Sequence, residues 1–419
     1  MRNPEVAVRD IKFFQRFVLD CGLTVYAQFR DMPWFDCSLI VGVGERHDPP
    51  DKPGVAHLLE HMMSSGTEGR PRVIFTNLQE WAHEQGFLVC YGETSLDYME
   101  FGGKAAVERA DDFFRFLHDF VRKPTLDYRL EHERKIIRAE RREDASTKER
   151  QAARVMGRAV FGQDHPLALA GTWPEDRVLN SITHDDVRKM HREFFEPPNM
   201  TLIVVGGIRS KQLQETLAGI FTSGRPDFRV PERPAPLSFS PPDPRENRIR
   251  LSRESEPETV TIGYYWHLPP VDDSTLDLLT HCWEKLLNHR IRERQTASYE
   301  VEVDVDRCVD HIQVSIEVTV APEDEVTVRQ IINETVVDEA AICRKFNIEK
   351  RAIILEIELE DQTIEDLIEE TICDLVVEGG PVLVREIVDR LNAVKPEQVI
   401  DLLREHFRLD HAYVELTEE

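Results

Sequence analysis

The chain has 419 residues, of which 41% are hydrophobic, and its 78 acidic side chains outnumber its 52 basic ones to give a formal net charge of −26. A chain of this length is expected to fold into more than one domain. The negative charge argues against nucleic acid and anionic membranes as partners, because both require clustered Lys and Arg, whereas it can attract basic peptides. The sequence has no run of eighteen apolar residues, so it predicts no membrane-spanning helix.

The cysteines and the first residues bear on the compartment. Seven cysteines, an odd number, are scattered without a C-x-x-C pair. The opening stretch, MRNPEVAVRDIKFF, mixes charges of both signs and has no apolar segment of the kind found in secretory signals. Cysteine usage of this kind is typical of a reducing compartment. We therefore expect a cytoplasmic protein.

Helix and strand patterns alternate along the first half. Strand patterns lie at residues 23–27, 37–43, 87–92, 97–104 and 200–205. Apolar residues at helical spacing lie at residues 73–84, 105–121, 129–156 and 185–195. Antiparallel strands packed with helices make α+β the predicted fold class.

A change of composition separates the first half from the second. Between residues 223 and 246 proline is frequent and the apolar periodicity is lost, which is typical of an extended linker. Strand patterns follow at residues 260–266, 301–307 and 311–320, and a helical pattern lies at residues 273–287. The second half therefore contains the same kinds of element as the first.

The two halves also share an order of elements. Residues 181–207 match the apolar spacing of residues 392–418, and residues 131–144 are weakly mirrored by residues 347–361. Any two helix–strand units look somewhat alike, but the common order favours a duplicated unit. We therefore predict two homologous domains, each a mostly antiparallel sheet packed with helices, over residues 1–222 and 247–419, joined by a Pro-rich linker over 223–246.

The stretch GVAHLLEHMMSSGTEG contains the pattern H-x-x-E-H. Positions four apart share one face of a helix, so His57 and His61 can present two imidazoles to one metal ion. Glu60 faces the same way and can take a proton from a water molecule as a general base. We expect Asp51 to cap this helix and Gly66 to lie at its end. The alternative is an ordinary amphipathic helix with two histidines.

A catalytic zinc site needs a third protein ligand and one open position. Glu133 and Glu140 lie two helical turns apart in LEHERKIIRAERRED and therefore share a face. Glu140 is the candidate ligand, and Glu133 is a candidate for orienting the site. The alternative is a solvated charged face. In the second half the segment HCWEK places Lys285 where a second histidine would stand, so we predict no metal site there.

These motifs resemble those of the pitrilysin, insulysin and mitochondrial-processing-peptidase superfamily, in its smaller two-domain bacterial-type branch. The resemblance covers nearly the whole chain and rests on GVGERHDPPDKPGVAHLLEHMMSSGTEGR, ERKIIRAE and GTWPEDRVLNSITHDDVRKMHREFFEPPNMTLIVVGG. It implies one zinc ion per chain on His57, His61 and Glu140, with Glu133 in a supporting role. It also implies that two chains pair into a clam-like chamber, as a homodimer or as a heterodimer with a related subunit.

The resemblance extends to substrate contacts. IRERQTASYEV is similar to the family segment whose Arg and Tyr lie near the scissile carbonyl, which implies those roles for Arg292 and Tyr299. A guanidinium and a phenol can stabilise a developing oxyanion; the alternative is simply the basic end of a helix. The strand VCYGETSLDYMEF lacks the asparagine usual beside the substrate. Binding by strand addition uses backbone groups and does not require it.

Three functions follow from these patterns. The principal prediction is a zinc-dependent endopeptidase that acts on peptides, with a preference for basic ones inferred from the charge. The first alternative is a peptide-binding subunit that does not cleave, or that cleaves only with a partner. The second is a zinc lyase similar to S-ribosylhomocysteinase, which the duplicated length and the Glu140 helix argue against.

Overall fold

The computed structural model describes residues 14–64, 66–68, 70–71, 78–127, 129–144, 176–222, 224–225, 227–232, 248–251, 259–294, 301–359 and 363–418. The described residues form two large sheets and a two-stranded one, with helices packed against the large sheets. The α+β class predicted from the sequence is confirmed. None of the described helices is both long and apolar enough to cross a bilayer.

The first half is built on a six-stranded sheet. Its strands are β1 (Gln15–Val18), β2 (Thr24–Phe29), β3 (Trp34–Val41), β6 (Phe87–Thr94), β7 (Met99–Ala106) and β8 (Met200–Gly206), while β4 (Gly66–Thr67) and β5 (Arg70–Pro71) form a separate pair. The order across the sheet is β1-β2-β8-β3-β7-β6. Only β2 and β8 run parallel; the other neighbours are antiparallel. The strand β6 therefore lies at one edge.

Seven described helices accompany this sheet. They are α1 (Val55–Met63), α2 (Leu78–Glu84), α3 (Ala110–Arg122), α4 (Leu130–Asp144), α5 (Asp176–Ser181), α6 (His184–Phe194) and α7 (Ser210–Ile220). The helix predicted from residue 105 begins later, because Ala105 and Ala106 still pair with Phe35 and Trp34 as part of β7. The predicted helix over 129–156 is described only to Asp144.

The second half contains a five-stranded sheet with the order β11-β12-β10-β13-β9. Its strands are β9 (Arg248–Leu251), β10 (Val260–Leu268), β11 (Val301–Arg307), β12 (Ile312–Val320) and β13 (Tyr413–Glu418). The described helices are α8 (Asp273–Arg294), α9 (Glu325–Val336), α10 (Glu339–Leu359), α11 (Ile364–Val377), α12 (Val384–Ala393) and α13 (Pro396–His406). The fully buried side chains of Trp266, Trp283 and Phe407 pack together in its core.

The two sheets have one topology. The order β2-β8-β3-β7-β6 in the first corresponds to β9-β13-β10-β12-β11 in the second, with the single parallel pair at the same place. By the same correspondence α8 stands where α1 stands, and α10 where α4 stands. The prediction of two homologous domains is confirmed, whereas the boundaries stay predictions, since most of the linker lies outside the described residues.

The two halves meet across the outer face of the first sheet. Alternation along β3 sends Leu39 into the main core and Ile40 to the opposite face. There α11, a helix of the second half, packs its own apolar side chains against the sheet. The members of this smaller cluster are Ile40, Ile203, Val205, Leu367, Ile368 and Ile372. The second half therefore covers a face of the first sheet that would otherwise expose apolar residues.

Candidate metal centre

The helix that carries the two histidines begins after a tight turn. Gly54, directly before α1, has a φ of 94°, which glycine adopts without strain. The carboxylate of Asp48 accepts hydrogen bonds from the backbone N–H groups of Gly54 (2.5 Å) and Ala56 (2.8 Å), donors that lack a partner within the helix. The prediction of Asp51 as the cap is wrong, because a backbone turn bends the chain back and leaves Asp51 exposed.

His57 and His61 lie one turn apart on α1 with their ring nitrogens facing each other. The two Nε2 atoms are 3.1 Å apart. Two nitrogens bound to one tetrahedral zinc ion at ordinary bond lengths stand about 3.3 Å apart. The geometry is therefore close to that of two ligands of a single ion.

Glu140 reaches the same point from α4, which packs against α1. Its Oε2 atom lies 3.3 Å from His61 Nε2. This oxygen is buried and has no hydrogen-bond partner among the described residues. Ligand atoms of His57, His61 and Glu140 all lie within 4.8 Å of one another. An orphaned buried oxygen beside two imidazole nitrogens is what a metal ion would satisfy.

Two further carboxylates surround this group. Glu133 is buried, and its Oε2 atom lies 3.6 Å from Nδ1 of His61, on the side of the ring away from Glu140. Glu60 lies on α1 beside His61, and its Oε2 atom accepts a hydrogen bond of 2.9 Å from the hydroxyl of Thr94, at the end of β6. Each carboxylate is therefore tied to a different element.

The pKa values show that the site favours a positive charge on His61 but not on His57. Burial lowers the pKa of His57 to about 4. Burial also opposes a charge on His61, but the nearby carboxylates of Glu133 and Glu140 outweigh it and raise the pKa of His61 to about 10. The contact with His61 lowers the pKa of Glu140, whereas burial raises the pKa of Glu60. The carboxylates around His61 thus draw a proton to the place where a cation would sit.

The donor set fits zinc. Two imidazoles and one carboxylate are the ligands of a common class of catalytic zinc site, in which a fourth position stays open. The pair formed by Glu133 and His61 is the arrangement that orients a ligating histidine through its second nitrogen. His57, His61 and Glu140 would hold the ion, and Glu60 is left free of it.

The centre opens into a cavity of about 530 Å³. Glu60 and His61 form part of its wall, together with Gly92 of β6, Phe101 of β7 and Arg129, which precedes α4. A Cβ atom on Gly92 would lie 3.2 Å from the Phe101 ring and 3.8 Å from Cγ of Glu60. The glycine therefore keeps the strand close to Glu60 and leaves the cavity open.

The structure brings together five of the seven site residues predicted from the sequence. Arg292 is exposed near the end of α8 and lines a separate surface groove of about 390 Å³ with Lys285 and His289. Tyr299 lies outside the described residues, so its role stays a prediction. Thr94 and Arg129 were missed, since neither belongs to a motif.

The corresponding place in the second half holds no complete set of ligands among the described residues. His281 of α8 lies 3.5 Å from Glu349 of α10. Lys285, four residues after His281, contacts Glu284 at 3.3 Å. An ammonium group cannot replace the second imidazole, because it carries no free electron pair at neutral pH.

Two family models match most of the chain. Residues 32–171 match the one described as "Insulinase (Peptidase family M16)". Residues 181–341 match the one described as "Peptidase M16 inactive domain". The first match contains all five residues of the candidate centre, and the second contains His281 and Lys285.

The chain is also similar in sequence to individual proteins. The chain is 25% identical over 300 residues to "Probable zinc protease PqqL" of Escherichia coli, a match that covers 66% of this chain and 30% of that protein. It is 24% identical over 220 residues to "Cytochrome b-c1 complex subunit 1, mitochondrial" of Rattus norvegicus, covering 52% of this chain and 44% of that protein. The chain therefore spans less than half the length of these relatives.

Solved structures share the fold. An M16-like peptidase from Alicyclobacillus acidocaldarius has a TM-score of 0.79 at 17% identity, covering 97% of this chain and 98% of that chain. The periplasmic protease PqqL from Escherichia coli gives 0.79 at 17% identity, covering 97% of this chain and 48% of that chain. Together with the two family models, these likenesses show that the chain belongs to the insulinase (M16) family of peptidases.

Proposed function

We propose that the chain is a zinc-dependent endopeptidase that hydrolyses peptides or extended segments of unfolded proteins. One observation carries the proposal: His57, His61 and Glu140 offer three ligand atoms within 4.8 Å, and Glu60 shares the adjoining cavity. One zinc ion per chain is expected at these three residues. The names of the zinc proteases similar to this chain support the same reaction.

A zinc ion, when bound, polarises the scissile carbonyl and lowers the pKa of water. The residues of the chain supply the proton transfers. Glu60 accepts the proton of the attacking water and delivers one to the departing amine. The raised pKa of Glu60 suits both tasks. The hydroxyl of Thr94 holds one carboxylate oxygen and leaves the other for the water.

The edge of β6 is the proposed place for the peptide backbone. In the described part of the sheet, no strand pairs with β6 on the side away from β7. An extended peptide can add there as a further strand, held by backbone hydrogen bonds. Thr94 and Gly92 bring this strand next to Glu60. The net charge of −26 favours basic peptides among those that fit.

A paired assembly is proposed to complete the binding site. This chain covers 48% of the solved PqqL chain, which leaves room in that protein for a second unit of similar size. Pairing with a second copy, or with a related subunit, would enclose the cavity as a chamber. Arg292 does not line the cavity of Glu60, so its proposed support of the carbonyl oxygen, with Tyr299, requires closure or a partner chain.

The proposed location is the cytoplasm, on the evidence of the seven scattered cysteines, which form no disulfides with one another. The similar protease PqqL is described as periplasmic. Fractionation of cells that produce the protein from its own gene distinguishes the two compartments.

A second candidate function is a peptide-binding subunit that does not cleave by itself. The similarity to subunit 1 of a cytochrome b-c1 complex favours it, because that name describes part of an assembly. Retention of all four residues, His57, Glu60, His61 and Glu140, argues against it.

The decisive experiment compares the purified protein with Glu60→Gln on a pool of random peptides. We expect about one zinc ion per chain in both proteins and cleavage by the unchanged protein only. The glutamine keeps the size of the side chain but cannot accept the proton. Equal cleavage by both proteins would contradict the role of Glu60. Full zinc loading without cleavage by either would favour the non-cleaving subunit.

A further inference from the structure

Arg129 has an unusual backbone conformation next to the candidate centre. Its φ is 69°, and it is the one non-glycine residue with a positive φ among the described residues. Side chains other than those of glycine, asparagine and aspartate rarely adopt this region. Strain of this kind is concentrated at functional sites, where surrounding contacts maintain it.

The side chain of Arg129 is enclosed rather than solvated. About nine tenths of it is buried, and it forms part of the wall of the cavity that contains Glu60 and His61. Its Nε atom lies 3.4 Å from Oε1 of Glu133, which is also buried. Among the described residues, Glu133 is the one acidic partner recorded for this guanidinium.

Glu133 thus lies between a guanidinium and an imidazole. One of its oxygens is 3.4 Å from Arg129, and the other is 3.6 Å from Nδ1 of His61. The opposite nitrogen of that ring, Nε2, faces His57 and Glu140. A shift of the Glu133 carboxylate would therefore change its contact with Nδ1 of His61, the ring nitrogen that faces away from the proposed metal.

An ordinary helical ion pair does not explain these features. Arg115 and Asp111 on α3 form such a pair at 2.7 Å, with side chains that are 56% and 60% exposed. Such pairs contribute little, because water screens them. The pair formed by Arg129 and Glu133 is 10% and 7% exposed. Burial removes most of the screening by water, so this contact is not weakened as the exposed pair on α3 is.

We propose that Arg129 is a positioning residue of the metal centre, which holds Glu133 against His61. The inference rests on the proposed zinc site. Arg129 fixes the position of Glu133, and Glu133 in turn fixes the orientation of the His61 ring. The left-handed backbone of Arg129 sets the guanidinium over the first turn of α4, where it meets Glu133.

A double-mutant cycle on zinc affinity tests the proposal. The four proteins are the unchanged chain, Arg129→Gln, Glu133→Gln and the double variant, each titrated with zinc against a chromophoric chelator. Loss of a group that orients a ligating histidine weakens metal binding by about 10–100-fold. We expect a loss in this range for each single variant and no further loss in the double variant, because Arg129 acts through Glu133.

Two further variants separate positioning from general damage. Arg129→Gly removes the guanidinium and relieves the backbone, so it should weaken zinc binding without the instability that a strained replacement causes. Arg115→Gln removes the exposed pair on α3 and should leave zinc affinity unchanged. Unfolding midpoints of the metal-free proteins show that every variant is folded.

Unchanged zinc affinity in Arg129→Gly and Arg129→Gln would overturn the proposal. So would a loss of affinity in the double variant equal to the product of the losses in the two single variants, because the two residues would then act independently. Both results are independent of peptide cleavage. If the unchanged chain binds zinc with the expected coupling but cleaves no peptide, the positioning role stands and the peptidase fails. If the unchanged chain cleaves peptides but the variants show no coupling, the peptidase proposal stands and the positioning role of Arg129 fails.

Discussion

Arg46 and Asp310 join the two halves of the chain through a buried ion pair. Nη1 of Arg46 donates a hydrogen bond of 2.6 Å to Oδ2 of Asp310, which lies 264 residues away. The side chains are 4% and 9% exposed. The guanidinium also contacts Asp97 at 2.8 Å. Arg46 lies in the short connection between β3 and α1, so the second half braces the segment that leads into the metal-binding helix.

Replacement of Asp310 by alanine should destabilise the protein. The change leaves a buried guanidinium with Asp97 as its remaining recorded acidic partner, and we expect a loss of about 1–3 kcal/mol in unfolding free energy. Asp410→Ala is the control, because it breaks an exposed pair with Arg408 of similar length, 2.7 Å, and should destabilise the protein much less, since water screens such a pair. Equal losses in denaturant titrations of the two variants would contradict this account.

The residues of the metal centre were predictable where the signal is local. His57, Glu60 and His61 share one helical turn, and Glu133 and Glu140 share one helix face, so spacing alone groups them. That the two groups meet was implied by the family resemblance, and the packing of α4 on α1 brings them together. Arg46 and Asp310 carried no such signal, because their contact depends on how two distant connections meet in three dimensions.

Errors in the sequence-based prediction arose at the ends of elements. Asp51 lies only a few residues before α1 in the sequence, as a capping residue should. A turn in the connection nevertheless places the carboxylate of Asp48, and not that of Asp51, at the start of the helix. Ala105 and Ala106 favour helix by composition, but pairing with β3 keeps them in a strand. In both cases a tertiary contact, which spacing does not reveal, decides the boundary.

Replacement of Asp48 by alanine should weaken both stability and zinc binding. It removes the acceptor for the N–H groups of Gly54 and Ala56 at the start of α1, and such a cap contributes about 1–2 kcal/mol. Because His57 lies in the first turn, loosening that turn should also lower zinc affinity. Asp51→Ala is the matched control and should change neither the thermal midpoint nor the zinc titration. A larger effect at Asp51 would restore the cap predicted from the sequence.

Replacement of Glu140 by glutamine tests the third ligand. An amide oxygen carries no charge and is a poorer ligand for zinc than a carboxylate, so affinity should fall by at least about tenfold, as measured by chelator competition. Glu131→Gln on the same helix is the control, since the side chain of Glu131 is 74% exposed and contacts Arg134. Retention of full affinity in Glu140→Gln would remove Glu140 from the site.

Stability should depend on pH through Asp36, a buried residue of β3. Burial raises the pKa of Asp36 from 3.8 to about 6, although Lys104 lies 3.4 Å away. A raised pKa means that the stability linked to this group is complete below pH 3.8 and is lost as the pH rises through about 6. The loss amounts to about 3 kcal/mol, since one unit of pKa corresponds to about 1.4 kcal/mol.

Asp36→Asn removes this titration without changing the size of the side chain. The unfolding free energy of the variant relative to the unchanged protein should therefore rise between pH 4 and pH 7 and level off above. Denaturant titrations across this range measure the difference directly. A difference that stays flat with pH would show that Asp36 does not carry the effect.

In the described part of the first sheet the edge of β6 is open, and this edge can also pair with another copy of the same protein. The backbone groups that would receive a peptide do not distinguish a substrate from an extended segment of another copy, so the edge is a place where chains can associate side by side. His83 Nε2, 2.8 Å from the carbonyl of Leu88, occupies one such backbone group at the beginning of the strand. Farther along, near Gly92 and Thr94, a captured segment would lie beside Glu60. Self-association at this edge would therefore inhibit the protein. As the protein concentration rises, the activity per chain should fall while the chain stays folded.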